Sequence, residues 1–256
     1  MKCRRHIGIR DGVLRWLSHS KITWLPVPVY GGLACGAWWS LYPCTSYWRG
    51  THEIEVQKKL ANWWDWRGKT VWDLGSHFGL YAVGLGLRVG PTGSVVALEP
   101  NPASYARLVV HVHRNRLSWV KPIQKAASDV NGPQRFYSAG GQNETVSHLA
   151  YEGEQWNADT PTIAVETCRL DDLVRAGQIT RPDFIKVDVE GHGHKALAGA
   201  VGSIEAKRPV ILIGFHSPQE VSGVETLLGP LGYKFTPIQS DAPAHRVGCD
   251  FILEPR

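Results

Sequence analysis

The sequence predicts an α/β protein with a doubly wound, mostly parallel sheet, and three observations lead to that prediction. Short apolar runs alternate with stretches of helical character from residue 70 to residue 236. The runs at 70–74 and 94–98 each end at or beside an acidic residue, and a glycine turn follows the first. The last two runs, 233–236 and 250–253, have no helix between them, which predicts a C-terminal antiparallel hairpin.

The individual elements follow from local composition. The run at 70–74 is short, apolar or β-branched and bounded by glycines, as is typical of a buried parallel strand. Thr51 is a candidate cap for the first helix, with Glu53 in its first turn, and Asn101 is a candidate cap for the third. The region after residue 137 is rich in Gly, Asn, Gln and Glu and predicts a loop. Helices are predicted at 51–66, 80–89, 102–115, 195–205 and 218–228, and strands at 70–74, 94–98, 120–127, 135–137, 162–170, 183–187, 210–215, 233–236 and 250–253.

Composition predicts one globular catalytic domain with an appended segment. The chain has 256 residues, of which 43% are hydrophobic and 20% charged, enough for one sizeable core. We expect a Trp-rich basic N-terminal segment at 1–49 and a domain at 50–256. The net charge of +5 arises in the first 21 residues, which hold six basic residues and one acidic residue. The rest is balanced, so no nucleic-acid partner is expected.

The N-terminal segment leaves two interpretations open. No charge occurs between residues 22 and 48, but prolines at 26, 28 and 43 argue against a straight membrane helix. Nine of the eleven tryptophans fall between residues 16 and 72. They either pack the segment onto the domain or cover its mouth, or they form a docking surface for a membrane, sugar or aromatic substrate. The five cysteines are widely spaced without a Cys-x-x-Cys pair, so we expect a cytoplasmic protein, with peripheral membrane contact by this segment left open.

The first strand and the turn after it indicate a nucleoside-binding site. Gly75 and Gly79 lack a Cβ, so the turn can adopt unusual dihedrals and a ligand can approach its backbone closely. No lysine follows, which argues against a triphosphate-binding P-loop. Glu99 ends the next strand, where a carboxylate can accept hydrogen bonds from both ribose hydroxyls. The spacing predicts a ribose-bearing ligand without distinguishing a dinucleotide from other nucleosides.

Ordered motifs resemble those of the FkbM-type methyltransferases over about residues 50–215. The block of Lys, Asp, Glu and Gly beginning at Lys186 is the most family-specific of them. The resemblance implies a Rossmann-like methyltransferase sheet that binds S-adenosylmethionine and most often methylates a hydroxyl of a small molecule, sugar or lipid. The motifs are the turn 73–79, Glu99-Pro100-Asn101, Asn115, Ala127-Ser128-Asp129, Leu170-Asp171-Asp172-Leu173 and Ile185-Lys186-Val187-Asp188-Val189-Glu190-Gly191.

The resemblance also implies roles for the cofactor side. Glu99, followed by Pro100, would face the ribose, and Asn101 would lie near it or would only cap the helix. Asp129, next to Ser128, would accept from the adenine amine or would be a turn residue. The residues implied at the amino-acid end of the cofactor are Asp73, Gly75, Ser76, His77 and Gly79.

On the acceptor side, methyl transfer requires alignment and removal of the acceptor's proton. Asp188 and Glu190 can each act as the base, or both can hold a divalent ion that acidifies a hydroxyl. Asp188 can alternatively cap the following helix, and Lys186 is expected to be structural or a charge partner of Asp188. His192 and His216 are secondary candidates for the base. The metal ligands stay unknown, because the His-x-His spacing at 192–194 has no firm third ligand.

Two glycines depart from the family pattern. Family members commonly carry glutamates where this chain has Gly193 and Gly214. A catalytically impaired methyltransferase-like protein that acts as a binding or interaction module therefore stays an alternative. An RNA or protein methyltransferase is a third. The balanced charge argues against RNA, and no Asn-Pro-Pro-Tyr tetrapeptide follows the fourth core strand.

Overall fold

The computed structural model describes residues 21–41, 46–138, 147–149, 159–239 and 245–256. Short 3₁₀ turns at Lys21–Trp24 and Tyr47–Arg49 flank the first two strands. The helices are α1 (Ile54–Trp63), α2 (Leu80–Val89), α3 (Pro102–Arg114), α4 (Leu170–Arg175), α5 (Gly193–Ala198), α6 (Val201–Lys207) and α7 (Pro218–Leu228). The strands are β1 (Pro26–Pro28), β2 (Trp38–Ser40), β3 (Thr70–Leu74), β4 (Ser94–Leu98), β5 (Val120–Ile123), β6 (Ala126–Ala127), β7 (Gly132–Tyr137), β8 (His148–Leu149), β9 (Thr162–Cys168), β10 (Phe184–Val187), β11 (Val210–Gly214), β12 (Tyr233–Pro237) and β13 (Asp250–Pro255).

A seven-stranded sheet forms the centre of the fold, in the order β5-β4-β3-β10-β11-β13-β12. The five strands from β5 to β11 pair in parallel, and β13 runs antiparallel to both of its neighbours. The predicted doubly wound sheet with a C-terminal antiparallel hairpin is confirmed. Because the parallel strands share one direction, the loops after β3, β4, β10 and β11 meet at one edge.

A second sheet has the order β6-β9-β7-β8, and the sequence did not predict it. The prediction of a single strand at 120–127 is wrong, because β5 ends at Ile123 and β6 pairs with β9. The Lys125 N–H donates to the Ile123 carbonyl at 3.0 Å, so the chain turns between the two strands. The predicted strand at 162–170 likewise ends at Cys168, and Leu170 begins α4.

Two predicted helices differ from the structure. The first begins at Ile54 and ends at Trp63, and its cap position is occupied by Glu53, in a left-handed conformation with φ 44°, instead of Thr51. The helix predicted at 195–205 is divided at Gly199 into α5 and α6. A Cβ at Gly199 would lie 1.9 Å from the Ser128 carbonyl oxygen, so the backbone of another segment approaches the break closely.

The sheet separates two hydrophobic clusters. Val71 and Trp72 are neighbours on β3 and are both fully buried, yet they belong to different clusters, as alternation along a strand requires. The described part of the N-terminal segment contributes Leu33 and Trp39 to the cluster that contains Val71. Within the described ranges, no helix is long and apolar enough to span a membrane.

The N-terminal segment is held against α3 by specific contacts. The Trp39 ring stacks on the His111 imidazole with centroids 3.7 Å apart. The Ser40 N–H donates to His111 Nε2 at 3.0 Å, and the Trp38 N–H donates to Asn115 Oδ1 at 2.7 Å. Of the two interpretations of the tryptophans, packing onto the domain therefore applies to Trp39, whose side chain is fully buried.

Candidate active site

A cleft of about 880 Å³, counting its open mouth, lies at the carboxyl edge of the parallel strands. Its position is the one expected for ligand binding in an open α/β sheet. Among the predicted site residues, those that line it are Gly75, His77, Glu99, Pro100, Asp188, Glu190, His192 and His216. The other described residues lining it are Tyr47, His52, Glu53, Leu98, Lys125, Ala126, Ala127, Phe136, Ser147, Leu149 and Val189.

Gly75 makes the turn after β3 touch the turn after β10. Its φ is +80°, and a Cβ there would lie 1.9 Å from the Asp188 carbonyl oxygen. The Gly75 N–H also donates to the Leu98 carbonyl at 3.0 Å, which ties the same turn to β4. Any side chain at this position would push the turn after β3 away from the turn after β10.

Glu99 is a buried carboxylate fixed by two backbone amides. Its Oε2 accepts from the His77 N–H at 2.8 Å, and its Oε1 accepts from the Asn101 N–H at 2.8 Å. The side chain thus has one defined orientation on the cleft wall. A carboxylate oxygen can accept more than one hydrogen bond, so this group can also receive the hydroxyl pair of a ribose.

His77 contributes a neutral imidazole to the wall of the cleft. Its Nδ1 lies 2.9 Å from the Tyr47 hydroxyl. Its Nε2 is buried and has no hydrogen-bond partner among the residues that the structure describes. Burial lowers the pKa of this imidazole to about 3, so it is neutral at physiological pH.

Several predicted cofactor residues lie behind the cleft wall. Asn101 caps α3, since its Oδ1 accepts from the Ala103 N–H at 2.9 Å. Gly79 precedes α2, and a Cβ there would lie 2.5 Å from Leu108 Cδ1. The Ser76 hydroxyl donates to the Asp73 carbonyl at 2.8 Å. Burial raises the pKa of the Asp73 carboxyl to about 6. These four residues shape the turn and its surroundings.

Ser128 and Asp129 line a smaller adjacent pocket, while Ala126 and Ala127 line the main cleft. The Ser128 hydroxyl lies 3.1 Å from His192 Nε2, and His192 borders both pockets. Burial lowers the pKa of His192 to about 4. The imidazole is therefore neutral and engaged with Ser128.

The cleft also brings together Asp188, Glu190 and His216. His216 Nε2 lies 3.6 Å from Asp188 Oδ1 and 3.6 Å from Glu190 Oε2. The second oxygen of Asp188 accepts from Lys186 Nζ at 2.9 Å, which confirms Lys186 as the charge partner of Asp188. The lysine is buried, but nearby carboxylates outweigh burial and raise its pKa. Lys186 is therefore a permanent cation beside Asp188.

Glu220, a fully buried residue of α7, orients His216. Its Oε2 accepts from the His216 N–H at 2.7 Å and lies 3.7 Å from Nδ1 of the same residue. Burial acts to lower the pKa of His216, but the surrounding carboxylates, Glu220 foremost, raise it to about 9. Burial raises the pKa of Glu190.

Gly193 and Gly214 leave space for two other acids. The Gly193 N–H donates to Glu220 Oε1 at 2.7 Å, and a Cβ at Gly193 would lie 2.5 Å from that oxygen. Gly214 is paired with Asp250 across β11 and β13, and a Cβ at Gly214 would lie 3.1 Å from Asp250 Oδ1. Carboxylates from other parts of the chain therefore stand beside both glycines.

The sequence did not predict that Tyr47, His52 and Glu53 line the cleft, where they form one wall. The Glu53 Oε2 accepts from the Tyr81 hydroxyl at 2.6 Å, and its Oε1 lies 3.2 Å from His52 Nε2. Burial opposes ionisation, yet these contacts and the Lys186 charge lower the pKa of Glu53 to about 2. The cap prediction at Thr51 put Glu53 inside a helix. The sequence signal that could have identified this wall is the adjacent pair His52-Glu53 just before a helix.

Two solved structures share this fold. The chain aligns with fibrillarin of Aeropyrum pernix, solved with natively bound S-adenosyl-L-methionine, at a TM-score of 0.51 and 15% identity, over 92% of this chain and 87% of that one. It aligns with a methyltransferase FkbM from Methylobacillus flagellatus KT at a TM-score of 0.50 and 18% identity, over 72% of this chain and 43% of that one. The fold is therefore that of the Rossmann-like methyltransferases.

Within that class, the model of the methyltransferase FkbM domain matches residues 73–235, and the chain belongs to that family. It is also 28% identical over 158 residues to the hexuronic acid methyltransferase AglP of Haloferax volcanii, covering 62% of this chain. The matched region spans 60% of that relative's length. The expected family, fold and cofactor are confirmed.

Proposed function

We propose that this protein is an O-methyltransferase that methylates a hydroxyl group of a small-molecule acceptor, with a sugar as the favoured acceptor class. One observation carries the proposal. One cleft is lined both by the oriented Glu99 carboxylate and by the Asp188, Glu190 and His216 cluster. The relative AglP, by its name a hexuronic acid methyltransferase, supports the sugar.

The cleft residues fit S-adenosylmethionine. Glu99 would hold the ribose hydroxyls, and the turn at Gly75 and His77 would lie along the amino-acid end. The cofactor supplies a methyl group on a sulfonium, whose C–S bond breaks with its electron pair left on sulfur as a hydroxyl oxygen forms the new C–O bond. The protein has to align the two reactants and remove the hydroxyl proton.

Glu190 is the base that we assign to the acceptor hydroxyl. Asp188 already accepts from Lys186 through one oxygen, whereas Glu190 projects from the loop after β10 in a left-handed conformation with φ 49°. Phe136 and Leu149, from the second sheet, line the same cleft and exclude water from it. His52 and Glu53 add polar groups on the opposite wall that can bind further hydroxyls.

Calorimetric titration with S-adenosylmethionine tests the cofactor side. Replacement of Glu99 by alanine removes the ribose acceptor and the partner of two backbone amides, so we expect Kd to rise at least 30-fold, or about 2 kcal/mol. Glu166 is an exposed acid on β9, and Glu166→Ala should bind as the wild type does. Unchanged affinity in Glu99→Ala would refute this placement of the ribose.

Turnover tests the acceptor side. We expect uronic acids and neutral sugars to be methylated by the wild type, and Glu190→Gln to bind cofactor normally but to lose at least 100-fold in kcat. Cofactor binding without turnover on sugar, lipid or phenolic acceptors would instead support a catalytically impaired protein that acts as a binding module.

A further inference from the structure

Asp188, Glu190 and His216 have the composition of a metal centre as well as of a base cluster. One ligand-type atom from each lies within 4.8 Å of the other two. Two carboxylate oxygens with an imidazole nitrogen form a donor set that divalent cations such as Mn²⁺ accept. The three residues come from two separate loops, after β10 and after β11, that meet only through the fold.

The distances suit coordination better than direct hydrogen bonding. His216 Nε2 is 3.6 Å from an oxygen of each carboxylate, beyond the range of a hydrogen bond. Two donor atoms that each lie about 2.1 Å from one ion are about 3.0 Å apart at 90° and about 3.6 Å apart near 120°. The two distances from His216 Nε2 therefore match those of donor atoms that share one ion.

The surroundings hold each donor in place. Lys186 occupies Oδ2 of Asp188, so Oδ1 is the oxygen that faces His216. Glu220 holds the backbone of His216 by accepting from its N–H at 2.7 Å, and the same oxygen lies 3.7 Å from Nδ1, so Nε2 is the nitrogen near the carboxylates. A carboxylate behind a ligating histidine is the usual support in metal sites, because it fixes the ring orientation. Two backbone amides fix Glu220 itself.

We infer that Asp188 Oδ1, Glu190 Oε2 and His216 Nε2 bind one divalent cation that coordinates the acceptor hydroxyl. This inference rests on the proposed function. A coordinated hydroxyl has a lowered pKa, so it loses its proton more readily to the other oxygen of Glu190. Asp188, Glu190 and His216 all line the cleft, so a sugar hydroxyl bound in the cleft would be able to reach an ion held by them.

Electron paramagnetic resonance of Mn²⁺ tests the site without any methyl transfer. We expect the wild type to remove one equivalent of Mn²⁺ from the aqueous signal. Glu190→Gln and His216→Gln should each weaken that binding at least 10-fold. Glu166→Gln makes the same chemical change on an exposed strand and should leave it unaltered. Far-ultraviolet circular dichroism verifies that each variant is folded.

The outcomes separate this inference from the proposed function. One equivalent of Mn²⁺, lost in both cluster variants, supports the site. Binding that is absent in the wild type, or equal in wild type and Glu190→Gln, overturns it and leaves the three residues as an ion-pair cluster. Calorimetry with S-adenosylmethionine on the same samples tests the proposed function separately, because Glu99 and the turn at Gly75 bind no metal in this scheme.

Discussion

At the scale of single residues, Gly75 decides whether the two halves of the cleft can meet. Its replacement by alanine would place a Cβ 1.9 Å from the Asp188 carbonyl oxygen, in addition to the strain of a φ of +80°. We expect Gly75→Ala to be destabilised by at least about 3 kcal/mol and to lose measurable S-adenosylmethionine binding. Chemical denaturation and calorimetry measure the two effects.

Gly248 provides a matched control for that substitution. It has the same φ of +80°, but a Cβ there would meet no heavy atom within 4 Å. Gly248→Ala should therefore cost only the backbone strain, about 1 kcal/mol, and should leave cofactor affinity unchanged. Equal effects of the two substitutions would show that the contact with Asp188 has no role.

Local motifs predicted the residues whose environment is set by near neighbours in sequence. Gly75 and Glu99 belong to strand ends, and strand ends of a parallel sheet share one edge whatever the rest of the chain does. The acids beside Gly193 and Gly214 could not be predicted in this way. Glu220 arrives from α7 and Asp250 from β13, and only the folded sheet places them there.

At the scale of elements, His111 makes the contact between α3 and β2 sensitive to pH. Its Nδ1 lies 2.7 Å from the Phe78 carbonyl, and its Nε2 accepts from the Ser40 N–H, so both nitrogens are used by the neutral ring. Burial lowers the pKa of His111 from 6.5 to about 3. Below pH 6.5 this imidazole is protonated in the unfolded chain but stays neutral in the folded protein, so the free energy of unfolding falls as pH falls.

The expected loss is about 1.4 kcal/mol for each pH unit between 6.5 and 3. His111→Gln has no such titration. At pH 7.5 the variant should have a lower free energy of unfolding than the wild type. At pH 5 this difference in free energy of unfolding should be smaller by about 2 kcal/mol. His113→Gln alters an exposed residue of the same helix and should keep the wild-type pH dependence. A pH-independent difference for His111→Gln would contradict this account.

The contact between α5 and α7 gives a second prediction at this scale. Gly193→Glu should destabilise the protein, because its side chain would overlap the Glu220 carboxylate. Glu220→Ala should also destabilise it, since the Gly193 and His216 amides lose their acceptor. The double variant moves a carboxylate into the vacated space, so we expect it to be at least about 1 kcal/mol more stable than the sum of the single effects. If denaturant titrations show that the two losses of unfolding free energy simply add in the double variant, the carboxylate at residue 193 does not replace that of Glu220.

The bounds of a helix or strand were predictable where residues next to it in the sequence end it. The predicted bounds of α2, β4 and α7 agree with the structure, since glycines or proline and serine caps mark their ends. The bounds failed at 120–127 and at 195–205. The first run divides between two sheets, and the second breaks where Gly199 meets the Ser128 backbone, so both are consequences of tertiary packing.

At the scale of the whole molecule, the cleft joins distant parts of the chain. Tyr47 of the N-terminal segment, Glu99 after β4 and His216 after β11 all line it. A ligand that binds there stabilises only the state in which all of these parts are assembled. Cofactor at about 100 times its Kd should add about 2.7 kcal/mol to the free energy of unfolding. For a chain of this size the midpoint of thermal unfolding should rise by about 5 to 10 °C.

The same experiment tests whether the N-terminal segment unfolds together with the domain. Five of the eleven tryptophans lie in residues 1–49 and six lie in residues 50–256, so fluorescence reports both parts of the chain, while far-ultraviolet circular dichroism reports the helices and sheets as a whole. The burial of Leu33 and Trp39 in the same cluster as Val71 leads us to expect coincident transitions, both shifted equally by cofactor. A fluorescence transition at lower temperature, unmoved by cofactor, would instead define residues 1–49 as a separate unit.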